Sequence, residues 1–146
     1  MKLSAHFSLA EATFSRTAEL HGLRNVPNDV QLERMKFTAS KMEEVRELLG
    51  GHPIKVNSWF RGPELNKLVG GVSTSQHSRG EAVDFTCAWY GSAKEVALLL
   101  QKHKDDLQYD QLIYEQTWVH ISFSSTQARK NDLTFLGAGK YTKGIV

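Results

Sequence analysis

The chain has 146 residues and a formal net charge of +2. This length predicts a single domain, residues 1–146, whose core can bury roughly 68–70% of the surface of the unfolded chain. The charges are nearly balanced and no basic run alternates with aromatic residues, so we expect no nucleic-acid partner. A single cysteine, Cys87, excludes an internal disulfide and leaves core packing or a bound metal to stabilise the fold.

The N-terminal stretch "MKLSAHFSLAEATFSR" lacks the continuous apolar segment of a signal peptide. No other stretch approaches the roughly 18 consecutive apolar residues of a membrane span. We therefore expect cytoplasmic synthesis, a monomer and no membrane insertion, with any extracellular target reached by another route.

The first part of the chain predicts helices. Ser8 and Glu11 form a capping-box pattern that begins a short helix. Asn28 and Gln31 form a similar pattern at the start of a long helix, which the glycines at 50–51 end. The apolar residues that recur along this helix at spacings of three and four are Leu32, Met35, Ala39, Met42, Val45 and Leu49. This stripe predicts core packing rather than a functional site.

The second part predicts strands and one crossover helix. Residues 53–59 alternate in polarity as a strand does, and Gly62-Pro63 begins a short helix that Gly70-Gly71 ends. A further capping box begins a helix over 92–102.

Two alternating runs then follow, "YDQLIYE" at 109–115 and "WVHISF" at 118–123. The order of these elements predicts an α+β fold in which N-terminal helices pack on a small antiparallel sheet. Trp59 and Trp118, at the edges of predicted strands, are candidates for the walls of a cleft, with core packing as the alternative.

The segment "STSQHSRGEAVDF" places His77 and Asp84 seven positions apart. Over that separation a helix rises roughly 10 Å, too far for two ligands of one ion, and a flat strand sends them to opposite faces. Gly80 tolerates a positive φ and is therefore the predicted bend. Residues 80–85 then form a strand, and His77 faces back onto Asp84. The alternative is a polar surface loop with no ligand site.

The last two strands predict which residues share a face. If residues 116–117 form a two-residue loop, Ile113 lies opposite His120, and Glu115 and Trp118 share that face. The other face of the second strand, predicted to pack in the core, carries Val119, Ile121 and Phe123. Gln-Thr is not a preferred hairpin turn, so a longer loop and a structural role for His120 remain open.

Together these residues have the composition of a catalytic zinc site. His77, Asp84 and His120 supply two imidazoles and one carboxylate, which leaves a fourth position open for water. Glu115 would lie diagonally from His120, within reach of that water. Arg61 follows the 53–59 strand and can donate two hydrogen bonds to a carboxylate or an oxyanion, with an exposed surface arginine as the alternative.

The pattern "SxHxxGxAxD" over residues 75–84, followed by "WVH" at 118–120, resembles the zinc-ligand signature of the D-alanyl-D-alanine carboxypeptidase/dipeptidase family of metallopeptidases, which shares its fold with hedgehog signalling domains. The segments "SWFRGPELNKLVGGVSTSQHSRGEAVDF" and "LSAHFSLAEATFSRTAELHGLRNVPND" resemble the small, single-domain branch common in bacteriophages. The resemblance runs from residue 3 to about residue 123.

The resemblance implies Zn²⁺ as cofactor, with His77, Asp84 and His120 as its ligands. It also implies that Arg61 polarises the scissile carbonyl or holds the substrate. The general base of the family is a Glu or Asp shortly before the last histidine.

One position departs from this pattern. Thr117 occupies the dipeptidase-type position for the base, three residues before His120, and the nearest upstream acid is Glu115. Hedgehog-type domains carry their glutamate further upstream, which makes Glu115 admissible. Asp110 is the second candidate for the base.

The implied function is a zinc-dependent hydrolase that cleaves a peptide bond in a peptidoglycan stem peptide, as a carboxypeptidase or an endopeptidase. A bacteriophage endolysin would degrade the cell wall after release through holes made by a separate membrane protein. Two alternatives stay open: a non-catalytic, zinc-stabilised peptidoglycan-binding module and a virion-associated protein.

Overall fold

The structure, a computed structural model, describes all residues 1–146. The helices are α1 (Leu9–Thr13), α2 (Arg16–Leu20), α3 (Asp29–Leu48), α4 (Pro63–Leu68), α5 (Ala93–Lys102) and α6 (Lys104–Leu107), and a 3₁₀-helix spans Gln76–Arg79. The strands are β1 (Lys55–Ser58), β2 (Ala82–Thr86), β3 (Gln111–Tyr114), β4 (Val119–Ser122), β5 (Asn131–Gly137) and β6 (Lys140–Lys143). None of the helices combines the length and apolar character that crossing a membrane requires.

Reciprocal side-chain caps begin α1, α3 and α5, as the sequence predicts. Each cap satisfies two backbone N–H groups that have no partner within the helix, which fixes where the helix begins. Helices α2 and α6 are not predicted, because elements of five and four residues are too short to show a helical period.

The six strands form one sheet in the order β1-β2-β4-β3-β5-β6. Neighbouring strands are antiparallel except for β3 and β5, which are parallel. The α+β class is therefore confirmed, and the strands that the sequence predicts, β1 to β4, pair antiparallel with one another. The one parallel pair involves β5, a strand that the sequence analysis does not predict. Residues 123–130 carry the chain from β4 past the end of β3, so that β5 starts at the same edge as β3 and runs in the same direction.

Helix α3 supplies the apolar stripe that the sequence predicts for the core. Met35, Ala39, Met42, Val45 and Leu49 are fully buried, and Leu32 is partly buried against them. They belong to a cluster of 22 buried residues that also includes the inward faces of β2 and β4. The core residues on these two strands are Val83, Phe85, Val119 and Ile121, with Phe123 just beyond β4.

The opposite face of the sheet carries a cleft at its centre. Because successive side chains on a strand alternate between faces, burying Val83 and Phe85 turns Asp84 outward, and burying Val119 and Ile121 does the same for His120. The core therefore determines which side of the sheet carries the candidate site.

Candidate functional site

A left-handed glycine brings His77 back towards β2. Gly80 ends the 3₁₀-helix with φ of 75°, as the sequence predicts. A Cβ atom at Gly80 would lie 2.4 Å from Cγ of Met35, so a larger residue meets both a strained backbone and the core helix. The Gly80 carbonyl accepts hydrogen bonds from Trp59 Nε1 at 3.1 Å and from Thr38 Oγ1 at 2.9 Å. These two hydrogen bonds, one from α3 and one from the segment after β1, hold the turn in place.

Strand pairing brings the third residue to the same point. In the β2–β4 register Asp84 lies directly opposite His120. Oδ1 of Asp84 is 2.8 Å from Nδ1 of His120, and Oδ2 is 3.3 Å from Nε2 of His77. One potential ligand atom from each of the three residues lies within 4.8 Å of the others. Cys87 is buried in the core and is not part of this group.

These donors fit a zinc ion. Two imidazoles and one carboxylate match the three-ligand sets of zinc sites that leave one position open. Nδ1 of His77 is 2.7 Å from the Trp59 carbonyl, and this contact assigns the proton to Nδ1 and leaves the Nε2 lone pair facing Asp84. A ligand histidine that donates its other ring N–H to a carbonyl is the usual outer-shell arrangement of metal sites.

The electrostatics favour the protonation states that a metal needs. Burial alone would raise the pKa of the Asp84 carboxyl, but His77 and His120 outweigh burial and hold that pKa far below its usual range. Burial also lowers the pKa of His77, although the neighbouring carboxylate opposes the shift. An ionised carboxylate beside a neutral imidazole is the state in which both groups can bind a metal.

Arg61 lies in the segment between β1 and α4, as the sequence predicts, and lines the same cleft as the three donors. Its backbone N–H donates to the His77 carbonyl at 3.1 Å. Nε of Arg61 is buried without a protein partner. Burial lowers the pKa of the guanidinium, and the charge of Asp84 partly offsets this. A buried guanidinium N–H that no protein group accepts is available to a bound molecule.

The hairpin between β3 and β4 has the predicted register. Ile113 lies opposite His120, and the Glu115 N–H donates to the Trp118 carbonyl at 3.0 Å across a two-residue loop. Ile113, Glu115, Trp118 and His120 all line the cleft. Trp59 does not, because its ring is buried in the core.

The loop itself is strained. Gln116 has φ of 70°, which is uncommon for a residue other than glycine. The Thr117 N–H donates to the Glu115 carbonyl at 2.8 Å, which closes a three-residue γ-turn. Nε2 of Gln116 donates to the Phe135 carbonyl of β5 at 2.7 Å. This hydrogen bond fixes the turn against β5 and thereby also fixes the position of Glu115, the residue before Gln116.

The Glu115 carboxyl faces the cleft with one oxygen, Oε1, buried and without a hydrogen bond. Burial raises the pKa of Glu115, the charge on His120 lowers it and that on Asp84 raises it further. A carboxylate with a free oxygen and a raised pKa has the properties of a general base.

Asp110 has a different environment. It is fully buried and does not line the cleft. Its Oδ1 accepts from Nε of Arg129 at 2.8 Å, and its Oδ2 accepts from Nη2 of Arg129 at 2.8 Å and from Nε2 of Gln76 at 3.0 Å. Both oxygens are therefore occupied, and the structure gives Asp110 no open position from which to accept a proton.

The three donors, Arg61 and Glu115 lie around a cleft of about 450 Å³. The cleft also contains Nε1 of Trp118, a buried donor without a protein partner. Several residues that line it were not identified as site residues by the sequence analysis, among them Gln76, Arg79, Arg129 and Tyr141. For Arg129 no local pattern exists, because its partner Asp110 is 19 residues away in the sequence.

Comparison with known proteins agrees with the geometry. The family model described as Peptidase M15 matches residues 5–122. The chain is also 43% identical over 47 residues to a protein of Streptomyces albus G named "Zinc D-Ala-D-Ala carboxypeptidase". That similarity covers 32% of this chain and only 18% of the length of the relative. Because the family match spans most of the chain and includes His77, Asp84 and His120, the chain belongs to the Peptidase M15 family.

Proposed function

We propose that the chain is a zinc-dependent peptidase that hydrolyses a peptide bond in bacterial peptidoglycan. Membership of the Peptidase M15 family and the name of the Streptomyces relative support a peptidase of this class. The observation that carries the proposal is the arrangement around the His–Asp–His group. One unpaired acceptor, Glu115 Oε1, and two unpaired donors, Arg61 Nε and Trp118 Nε1, line the cleft that contains it.

The cofactor is Zn²⁺, held by His77, Asp84 and His120, which lie close enough to share one ion. When bound by these residues, zinc would supply Lewis-acid polarisation of the substrate carbonyl and activation of the attacking water. The contact between His77 Nδ1 and the Trp59 carbonyl keeps the ring oriented for this task.

Glu115 moves the proton in this mechanism. Oε1 accepts the proton of the attacking water and later donates it to the leaving amine. Its position in the cleft and its lack of a protein partner support this role. Burial raises the pKa of Glu115, which makes the carboxylate a stronger base and better able both to accept the proton and to hold it until the amine leaves.

Arg61 binds oxygen atoms of the substrate. Its planar guanidinium donates hydrogen bonds to the scissile carbonyl oxygen, on which negative charge develops, or to a neighbouring carboxylate. Nε of Arg61 is shielded from bulk water and has no protein acceptor, so a substrate oxygen is the partner that we propose for it.

The finer assignment is a carboxypeptidase or an endopeptidase that degrades the cell wall. The setting we propose is a bacteriophage endolysin, made in the cytoplasm as a monomer and acting on the wall after release. The support for the phage setting is the resemblance of "LSAHFSLAEATFSRTAELHGLRNVPND" to the small phage branch of the family.

A second function has one observation in its favour. Thr117 stands where dipeptidase-type relatives carry an acid, and its side chain is exposed at the hairpin loop. Without a competent base, the same zinc centre would stabilise a peptidoglycan-binding or virion-associated module that does not cleave.

Mass spectrometry of purified peptidoglycan fragments tests both functions. The fragments are incubated with zinc-loaded protein and, as the control, with protein and a chelator. We expect new termini that appear only with zinc, and their masses identify the bond. A protein that retains one equivalent of zinc and binds the fragments without cleaving them would contradict the peptidase and support the binding module.

A further inference from the structure

Two residues that line the cleft lie outside the part of the chain that the family model matches. The match ends at residue 122, whereas Arg129 precedes β5 and Tyr141 lies on β6. Both residues line the cleft that contains the three metal donors. We call Arg129 and Tyr141 the outer wall.

A fully buried carboxylate holds Arg129 in place. Nε and Nη2 of its guanidinium form two parallel hydrogen bonds to Asp110, each 2.8 Å long, and its backbone N–H donates to the same carboxylate at 3.2 Å. The Asn131 N–H also donates to the Asp110 carbonyl at 3.0 Å. This segment is thereby attached to the start of β3 by both backbone and side chain.

Asp110 links the outer wall to the metal centre. Nε2 of Gln76, the residue before His77, donates to Oδ2 of Asp110 at 3.0 Å. Burial alone would raise the pKa of Asp110, but the hydrogen bonds and charge of Arg129 outweigh it and keep the carboxyl ionised. The guanidinium is therefore oriented relative to the 3₁₀-helix that carries His77.

The two bonds to Asp110 leave one edge of Arg129 free. A guanidinium has five N–H groups, and Asp110 uses the Nε–Nη2 edge. Both hydrogens of Nη1 and the second hydrogen of Nη2 make no hydrogen bond to the protein. The Nη1–Nη2 edge matches the spacing of two carboxylate oxygens, and the side chain is 52% exposed.

We propose that Arg129 is a specificity-determining residue that binds a carboxylate of the peptide substrate through its free Nη1–Nη2 edge. This inference rests on the proposed function, because it names a group of the substrate of the same cleft. Neutralising Asp110 alone would require only one edge of the guanidinium and would not require Arg129 to line the cleft.

The test uses the full chain loaded with zinc and synthetic stem peptides in which each carboxylate is converted in turn to a carboxamide. For the wild type, we expect one amidation to raise KM by about 10- to 100-fold, the range of a charge-assisted hydrogen-bonded pair, with kcat little changed. Arg129→Lys keeps a positive charge for Asp110 but lacks the planar fork of a guanidinium. The variant should therefore show a KM for the carboxylate peptide raised by the same factor, and an unchanged KM for the corresponding carboxamide peptide.

Arg79→Lys is the matched control. Arg79 also lines the cleft, but its Nε donates to Glu81 at 2.9 Å and its Nη1 to the Thr74 carbonyl at 3.0 Å. Its substitution should leave the ratio between acid and amide substrates as in the wild type. If Arg129→Lys raises KM equally for the acid and amide peptides, or changes KM for neither, Arg129 serves only to neutralise Asp110 and the proposal is overturned.

Two further measurements keep the test decisive. If Arg129→Lys does not fold, the double variant Asp110→Asn with Arg129→Gln removes both charges and should show the same loss of discrimination between acid and amide. If the wild type cleaves no peptide, the proposed function fails, and calorimetric affinities for the acid and amide peptides then decide this inference. A wild type that binds both peptides equally, or neither, overturns it.

Discussion

The metal centre and the outer wall line one cleft but are built in different ways. His77 is 3% exposed, and backbone geometry positions the three metal donors: a left-handed glycine, a strand register and a carbonyl that orients one imidazole. Arg129 has half its side chain in solvent and is held by the buried carboxylate of Asp110, the residue just before β3. Backbone geometry changes little with one side chain, whereas a side-chain bridge can be removed by one substitution.

This difference implies that metal retention and substrate choice are separable. Substitutions at the metal centre should remove zinc and activity together. Substitutions at the outer wall and the hairpin should leave zinc in place and change turnover or selectivity. The predictions below test this separation, beginning with the largest expected effect.

His120→Ala should abolish tight zinc binding and, with it, hydrolysis. Loss of an outer-shell partner alone typically costs about 10- to 100-fold in metal affinity, and loss of a ligand should cost more. Zinc affinity is measured by competition with a chromogenic chelator. The matched control is His103→Ala, which removes a histidine of α5's C-terminal cap and should leave the affinity unchanged. A His120→Ala protein that holds one equivalent at the wild-type affinity would show that His120 is not a ligand.

Glu115→Gln should reduce kcat by about 10²- to 10⁴-fold, because the amide keeps the shape of the side chain but accepts no proton. Zinc content and the melting temperature should barely change. Since only the ionised carboxylate acts as a base, the wild-type rate should rise with pH through a pKa above the usual glutamate value. That acid limb should be absent from the residual activity of Glu115→Gln.

Asp110→Asn distinguishes the two candidate bases. Asp110 holds Arg129 and has no free oxygen, so its substitution should mainly raise KM. Turnover and zinc stoichiometry are measured on the same preparations of both variants. Undiminished kcat in Glu115→Gln together with a collapse of kcat in Asp110→Asn would reverse the assignment.

Arg61→Lys should lower kcat/KM by about 10²- to 10³-fold, the usual cost of removing one donor to a developing oxyanion. Lysine keeps the charge but lacks the planar fork. The metal centre should survive, because the hydrogen bond from residue 61 to the His77 carbonyl comes from the backbone. Steady-state kinetics and zinc analysis check both points, and activity within a few-fold of the wild type would identify Arg61 as a residue outside the reaction.

Gln116→Ala should have the smallest effect. It removes the hydrogen bond to the Phe135 carbonyl and should reduce the free energy of unfolding by about 0.5–1.5 kcal/mol, as urea denaturation would show. A looser turn should also reduce kcat several-fold, because Glu115 precedes Gln116. Gln116→Gly is the matched control, since glycine relieves the backbone strain but also lacks the anchor. Wild-type kcat in both variants would show that the anchor does not position Glu115.

The sequence by itself determined the bend that joins two of the candidate metal donors and the face of the hairpin that carries the third, whereas the pairing of β2 with β4 that brings His120 to Asp84 is a tertiary contact. The need for a bend between His77 and Asp84 follows from side-chain periodicity, and Gly80 was the residue able to supply it. The two-residue hairpin and its apolar face determined that Glu115 and His120 share one side. The capping boxes likewise marked where α1, α3 and α5 begin. All of these signals act within a few residues along the chain or across one hairpin.

Only the tertiary structure determined that the residues of the outer wall lie beside the candidate metal donors. The parallel pairing of β5 with β3, the pairing of Arg129 with Asp110 and the anchor from Gln116 to Phe135 join segments with no shared local pattern. It also showed that the two candidate bases have different environments, because both oxygens of Asp110 accept from residues distant in sequence, whereas Oε1 of Glu115 has no protein partner. The reason is physical: hydrophobic periodicity and capping are short-range signals, whereas the partners of a buried charge depend on which strands the folded chain makes neighbours.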